Sequence, residues 1–180
     1  MNRILPVLAL AFVFCCSPLF AQPGWNVNGA PINDEASRRS ADGFGGMVMI
    51  TSDADWQEKW ATPAENVPKF TEAKVVHLGE SLFILTFLTN PKLDEQQEAN
   101  VKCSFQVVRP DGVDSMNEKE IDCFNYHFTQ PVGDTLYLSD RTMGFHAEKG
   151  DPKGVWTVRV TLKDTLRTTP LELVTHFTLE

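Results

Sequence analysis

The chain is poor in cysteine, and this shortage excludes most metal and redox sites. Only four cysteines occur in 180 residues. Cys15 and Cys16 lie in an N-terminal apolar run, and neither Cys103 nor Cys123 belongs to a Cys-x-x-Cys motif. A structural zinc site needs closely spaced pairs of ligands, so the sequence predicts no metal and no cofactor.

Sequence motifs of common enzymes are also absent. The chain has no Gly-x-Ser-x-Gly elbow for a nucleophilic serine and no His-Glu-x-x-His pair for zinc. It has no Asp-x-Asp-x-Asp-Gly calcium loop either. We therefore expect a protein that is not an enzyme. Two alternatives stay open: a hydrolase with dispersed site residues, and a metal site assembled from His146, Glu148 and Asp151.

Basic residues are scarce, which bears on possible partners. The chain has 16 Lys and Arg against 24 Asp and Glu, a net charge of −8, and Arg38-Arg39 is the only adjacent basic pair. Nucleic acids and anionic membranes attract clustered positive charge. Neither is expected as a partner, and the negative charge serves mainly to keep the protein soluble.

The one long apolar run lies at the start of the chain. Residues 1–21 combine Arg3, an apolar stretch from Ile4 to Phe14, a Ser-Pro break and a small residue at Ala21. This layout is typical of a cleavable secretory signal and is too short for a spanning helix. We expect an exported protein, periplasmic or secreted, that begins near Gln22. Lipid anchoring at Cys16 is an open alternative, although Cys15 is larger than the small residue that usually precedes such a cysteine.

Removal of the signal would leave two cysteines, and both are expected in an oxidising compartment. A disulfide between Cys103 and Cys123 is therefore predicted. Closing a loop of about 20 residues stabilises a fold by roughly 3 kcal/mol on the chain-entropy model.

The segments before residue 70 differ from the rest of the chain. Residues 22–46 are rich in Gly, Asn, Asp, Ser and Pro, which predicts an irregular N-terminal arm. Ser52 and Asp55 have the spacing of a capping box, and a helix is expected over 53–61, ending before Pro63. Trp56 and Trp60 lie on one face of that helix.

Residues 47–180 are predicted to form one β-sandwich domain that includes this helix. The run Ser81 to Thr89 is apolar on both faces, which is typical of a strand buried on both sides, and the tryptophan helix is the expected cover for one face. Three further segments alternate between apolar and polar residues, with a period of two: Val101 to Val108, Val155 to Leu162, and Leu171 to Leu179. The odd-numbered residues of the first and third segments, including Cys103 and Phe177, and the even-numbered residues of the second, including Trp156, are expected to face inward.

The segment GDPKGVWTVRVTLKD, from Gly150 to Asp164, resembles the penultimate strand of many immunoglobulin-like and macroglobulin-like sandwich domains. The segment from Gly79 to Pro91 and the strand that ends in Pro110-Asp111-Gly112 are similar to earlier strands of such domains. The resemblance covers residues 70–180 and implies an all-β, immunoglobulin-like antiparallel sandwich with a short N-terminal helix packed on one face. The antibody pattern of Cys, core Trp and Cys is absent, because Trp156 follows both cysteines.

Exposed aromatic residues are the best candidates for a binding surface, and these are Trp56, Trp60, Trp25 and Phe44. The first two are expected mainly to cover the sheet. Trp25 and Phe44 have no periodic role and are expected to dock either onto another chain or onto the parent domain. The expected function is recognition of a protein or cell-envelope component, as an inhibitor, an immunity protein or an assembly accessory. A carbohydrate-binding module is the alternative, because sandwiches with exposed tryptophans suit that role.

Overall fold

A computed structural model of the chain describes residues 25–27, 30–63, 68–132 and 135–180. The predicted signal over 1–21 lies outside these residues. The described part contains one helix, α1 (Trp56–Trp60), and twelve strands: β1 (Asn26–Val27), β2 (Ala30–Pro31), β3 (Arg38–Ala41), β4 (Phe44–Thr51), β5 (Val75–Val76), β6 (Ser81–Thr89), β7 (Glu98–Val108), β8 (Asp114–His127), β9 (Leu136–Leu138), β10 (Met143–His146), β11 (Gly154–Asp164) and β12 (Leu171–Leu179).

Two five-stranded sheets form the sandwich, as predicted. The first sheet has the order β10-β6-β4-β3, and β9 also pairs with β6. The second has the order β5-β12-β11-β7-β8. All pairs in both sheets are antiparallel except the short pair of β5 with β12. A separate pair, β1 and β2, precedes them.

The core lies between the two sheets and is built from the alternating residues that the sequence assigns to the inward faces. In β11 the residues Trp156, Val158, Val160 and Leu162 are all buried. They oppose the apolar residues of β4 and β6, so each strand contributes one side chain in two to the core. The agreement confirms the predicted parity of β7, β11 and β12.

Cys103 and Cys123 form the predicted disulfide. Their Cα atoms are 5.7 Å apart, and both side chains are fully buried. The bond joins β7 to β8, two neighbouring strands of the second sheet, at a place where their register shifts. It therefore fixes an irregular strand pair and does not connect the two sheets.

The structure corrects the prediction of an irregular arm over 22–46. Strand β3 lies within this range, and β4 begins at Phe44. Two turn residues with positive φ, Asp42 and Gly43, join β3 to β4 as a tight hairpin. Glycines at 45 and 46 concealed the strand pattern, because they carry no side chain to mark a face.

The predicted helix over 53–61 is also corrected. Only the five residues of α1 are helical, and Asp55 at its N-terminus makes no side-chain capping bond. The Asp53 carboxylate instead accepts a hydrogen bond from the Thr71 N–H, 18 residues later. Asp55, the acidic residue of the predicted capping box, contacts Lys59 instead, with Oδ1 3.3 Å from Nζ.

Trp156 is the largest fully buried side chain of the core. Its ring centroid lies 4.9 Å from that of Phe145 and 5.8 Å from that of Phe177, and its Nε1–H donates to the Pro152 carbonyl at 3.1 Å. We expect Trp156→Ala to lower the free energy of unfolding by about 3–5 kcal/mol, because the truncation leaves a large cavity. Equilibrium denaturation in urea measures the change. The control is Val155→Ala at an exposed neighbouring position; equal stability of the two variants would contradict the register of β11.

Candidate functional site

Strand β6 has two buried faces, and only one of them belongs to the core between the sheets. Leu82, Ile84 and Leu88 lie in that core. On the opposite face, Leu85 is fully buried and Phe87 is 1% exposed. The outer face of the first sheet must therefore be shielded from solvent by another part of the chain.

The shield is formed by residues 52–63 and 68–73, which we call the covering segment. Three of its aromatic rings contact β6: the ring centroids are 6.3 Å apart for Trp56 and Phe83, 5.4 Å for Trp60 and Phe87, and 6.2 Å for Phe70 and Phe87. Both tryptophans are half-buried as a result. These contacts favour the covering role over a free aromatic platform.

Hydrogen bonds close the base of the covering segment. The Thr51 hydroxyl donates to the Thr71 carbonyl at 2.8 Å and accepts from the Asp53 N–H at 3.1 Å. The Thr71 N–H donates to Asp53 Oδ2 at 2.7 Å, and the Ala73 N–H donates to the Ile50 carbonyl at 2.9 Å. The segment thus leaves and rejoins the end of β4 at one point, like an Ω-loop.

An ion pair attaches α1 to this base. Lys59 Nζ lies 2.9 Å from Asp53 Oδ2 and 3.3 Å from Asp55 Oδ1. The hydrogen bond from Lys59 is the main cause that lowers the pKa of Asp53 from 3.8 to about 2, and the Thr71 N–H acts in the same direction. The same contact raises the pKa of Lys59.

A groove opens where the covering segment meets the edge of the sandwich, and we call it the edge groove. It is lined by residues 72–75, His77 and residues 80–83, together with Ser52 and Ala54. Phe83 is half-buried in the groove and contacts Trp56 from the covering segment. The groove is thus continuous with the aromatic cover of β6.

Exposed apolar side chains border the edge groove. Val75 is 44% exposed, and Leu78 is 52% exposed between the lining residues His77 and Glu80. Leu78 is held outward by a turn in which the Glu80 N–H donates to the His77 carbonyl at 3.0 Å. Gly79 has φ = +84° at the third position of this turn, which a type II turn requires.

Polar and charged groups surround this apolar centre. Glu72, Lys74 and Glu80 line the groove, and the Lys74 ammonium lies 3.9 Å from the Glu72 carboxylate. The Ser81 hydroxyl lies 2.9 Å from His146 Nδ1 of the neighbouring strand β10. The site therefore combines an aromatic floor with a mixed polar rim.

The four aromatic residues predicted from the sequence as binding candidates do not come together. Only Trp56 borders the edge groove, through Phe83, whereas Trp60 lies over the buried Phe87. Phe44 is fully buried, and Trp25 is 9% exposed, with its Nε1–H donating to the Arg39 carbonyl at 2.9 Å. The last two side chains therefore pack onto the parent domain and are not available as a surface.

Val75 and Phe83, which line the groove, and Leu78 at its border were missed as a site. A sequence signal exists for one of them, because Leu78 is an apolar residue directly before a turn glycine. The meeting of β5 with β6 across the groove depends on tertiary structure, and no local pattern reports it.

The structure does not gather the metal ligands considered from the sequence. Across the described ranges, no group of three or more His, Cys, Asp or Glu side chains is placed to hold a metal ion. Asp151 Oδ2 accepts the Glu148 N–H at 2.9 Å, while His146 contacts Ser81. Glu148 and Asp151 therefore stabilise a turn, and His146 contacts the strand that pairs with its own. In the described part of the chain no helix has the length and apolar character needed to cross a membrane.

Comparison with known proteins leaves the chain without a family: neither a protein-family model nor a curated protein matches it. Distant solved structures are similar to parts of it. A family 123 glycoside hydrolase from Clostridium perfringens is 10% identical with a TM-score of 0.43, and the match covers 75% of this chain and 27% of the hydrolase. An alkylpurine DNA glycosylase from Pseudomonas fluorescens is 13% identical with a TM-score of 0.37, covering 59% and 27%.

A third similar structure is a Niemann-Pick type C2 protein from the Japanese carpenter ant. It is 12% identical with a TM-score of 0.38, and the match covers 74% of this chain and 89% of that protein. The chain thus spans about a quarter of the first two structures and most of the third. Likeness at this level carries no functional argument. The class that the two sheets define is an all-β sandwich protein, with a disulfide between Cys103 and Cys123.

The ion pair at the base of the covering segment predicts an acid-sensitive contact. The pKa of Asp53 is about 2 in the folded protein and 3.8 in the unfolded reference. Its contribution is therefore fully present above about pH 4 and is lost as the pH falls towards 2. We expect Asp53→Asn to lower the free energy of unfolding at pH 7 by about 1–2 kcal/mol, since solvent partly screens the pair.

Urea denaturation between pH 2 and 7 tests this expectation. The stability difference between wild type and Asp53→Asn should shrink as the pH falls from about 4 to about 2. Asp55→Asn is the matched control, because it removes an exposed carboxylate that contacts the same lysine. A difference that stays constant over this range would show that Asp53 does not hold the segment.

Proposed function

We propose that the chain is an exported, non-enzymatic binding protein that recognises another protein or a protein component of the cell envelope through the edge groove. The observation that carries the proposal is the exposure of Val75 in the groove and of Leu78 at its border, in a groove that is also lined by the half-buried Phe83. An inhibitor, an immunity protein and an assembly accessory all fit this description.

The composition of the edge groove supports a protein partner. Binding energy in protein interfaces concentrates on a few buried aromatic and aliphatic anchors, and polar side chains at the rim exclude water from them. Phe83 with Trp56, Val75 and Leu78 supplies the anchors, and the charged residues described above supply the rim. Several exposed apolar side chains close together on a protein with a net charge of −8 indicate an interaction site, whereas a single exposed aliphatic residue does not.

Export is supported by the disulfide as well as by the predicted signal. Disulfides persist in oxidising compartments and are rare in the cytosol. The buried Cys103–Cys123 bond fixes the irregular pair of β7 with β8, so folding benefits from oxidation. The partner is therefore sought among periplasmic, secreted or envelope proteins.

Carbohydrate binding, the alternative function, is favoured by one residue that the sequence did not single out for binding. Tyr126 is 58% exposed, and its ring centroid lies 6.2 Å from that of Phe124 in a stacked arrangement. Asn125 and Asp94 line the same depression. An exposed ring beside amide and carboxylate groups can stack on a sugar and bond its hydroxyls. The two candidate functions therefore occupy different surfaces.

Substitution of Leu78 tests the protein-binding proposal. Leu78→Asp should leave the free energy of unfolding within about 0.5 kcal/mol of wild type, because the side chain is exposed. It should reduce recovery of the partner at least tenfold when the tagged protein is used for affinity capture from its native envelope fraction. A photo-reactive residue in place of Leu78 should cross-link to the same partner.

The matched control is Val113→Asp. Val113 is 55% exposed and precedes β8, which forms the edge of the second sheet opposite β5. Partner recovery should be unchanged in this variant. Equal partner recovery by the Leu78→Asp and Val113→Asp variants would show that the edge groove is not the binding surface. Retention on polysaccharide that disappears in Tyr126→Ala would favour the carbohydrate alternative instead.

A further inference from the structure

One wall of the edge groove is a strand edge with free peptide groups. Among the described residues, strand β5 is the edge of the second sheet and pairs only with β12. In this parallel pair the Thr178 N–H donates to the Lys74 carbonyl at 2.9 Å, and the Glu180 N–H donates to the Val76 carbonyl at 3.1 Å. Since alternate residues of a strand direct their peptide groups to opposite sides, the N–H and C=O of Val75 point away from β12.

These free peptide groups lie on the side of β5 where the edge groove opens. The other residues that line the groove belong to β6, the β5–β6 turn and the start of the covering segment, not to β12. Outside the ladder with β12, no described backbone group forms a hydrogen bond with the Val75 N–H or C=O. The groove thus offers one donor and one acceptor at the spacing of a β-ladder, next to an apolar floor.

The charge of the rim restricts what can lie there. Glu72 and Glu80 line the groove with a single lysine, Lys74. Glu80 uses Oε2 to accept the His77 N–H at 2.9 Å, which leaves its second oxygen for another donor. A basic group on the partner is therefore favoured at this rim, and an acidic group is repelled.

We propose that an extended segment of the partner protein adds to β5 as a new strand, with an aliphatic side chain against Phe83 and a basic side chain beside Glu80 or Glu72. This inference rests on the proposed function and specifies its mode, which is strand addition. Main-chain bonds to Val75 supply the register, and the alternate side chains of the added strand supply the specificity.

The other edge of the same sheet shows how an edge is protected against such pairing. Strand β8 carries several exposed charged residues, and its pairing with β7 contains three register shifts. Charges and bulges of this kind prevent the addition of another strand. The described part of β5 has a regular register with β12 and an exposed valine. A second copy of the chain is a poor occupant, because two acidic rims would meet.

The test is selection of a displayed library of random heptapeptides on the full protein, with Leu78→Asp as counter-selection. We expect peptides that combine an aliphatic residue with Lys or Arg. Val75→Pro removes the free N–H without breaking a bond to β12, and Pro is tolerated at such edge positions. It should weaken binding of the selected peptide at least tenfold, whereas the matched variant Val75→Thr, which keeps the N–H, should bind within about twofold of wild type.

A second measurement does not depend on how the variant folds. The selected peptide is resynthesised with N-methyl groups at alternate residues, in both registers, and titrated against the wild-type protein; one register should lose at least tenfold in affinity. Equal affinity in both registers, or selection of acidic peptides, would overturn strand addition while Leu78 dependence would still support the proposed function. Failure to select any peptide whose binding depends on Leu78 would overturn both.

Discussion

The arrangement of this protein depends on one strand that cannot be exposed on either side. Strand β6 carries apolar residues on both faces, and a two-layer sandwich buries only one of them. The fully buried Leu85 and the nearly buried Phe87 lie on the face that the second sheet does not reach. Burying such side chains is worth about 1.5–3 kcal/mol each, so a third layer on this face stabilises the fold considerably. The covering segment supplies that layer with three aromatic rings.

The candidate site follows from the way this third layer ends. The covering segment rejoins β4 through Thr51, Asp53 and Thr71, and the chain then crosses to the second sheet as β5. The crossing leaves a gap between β5 and the start of β6, where Phe83 remains half-exposed. The same requirement to shield β6 therefore produces both the aromatic cover and the groove at its margin.

Alternation of apolar and polar residues predicted much of the fold. The bounds of β6 match the predicted segment, and the inward stripes around Trp156 and Cys103 are buried as expected. Patterns failed where side chains mark no face: β3 is polar, and β4 contains Gly45, where the Trp25 indole would leave no room for a Cβ. Strand β10 was missed because its four residues are too few to show the alternation of apolar and polar side chains that marks a strand. The edge groove joins residues from separate segments, so its existence depends on topology.

The central claim is that Trp56 and Trp60 shield β6, and urea denaturation of the Trp56→Ala/Trp60→Ala double variant tests it most directly. The account predicts a loss of about 3 kcal/mol or more, because both rings pack on phenylalanines of β6. The matched control is Gln57→Ala/Glu58→Ala on the exposed side of α1, which should lose less than about 0.5 kcal/mol. A double tryptophan variant as stable as this control would contradict the account, and would return the two rings to the role of a ligand platform.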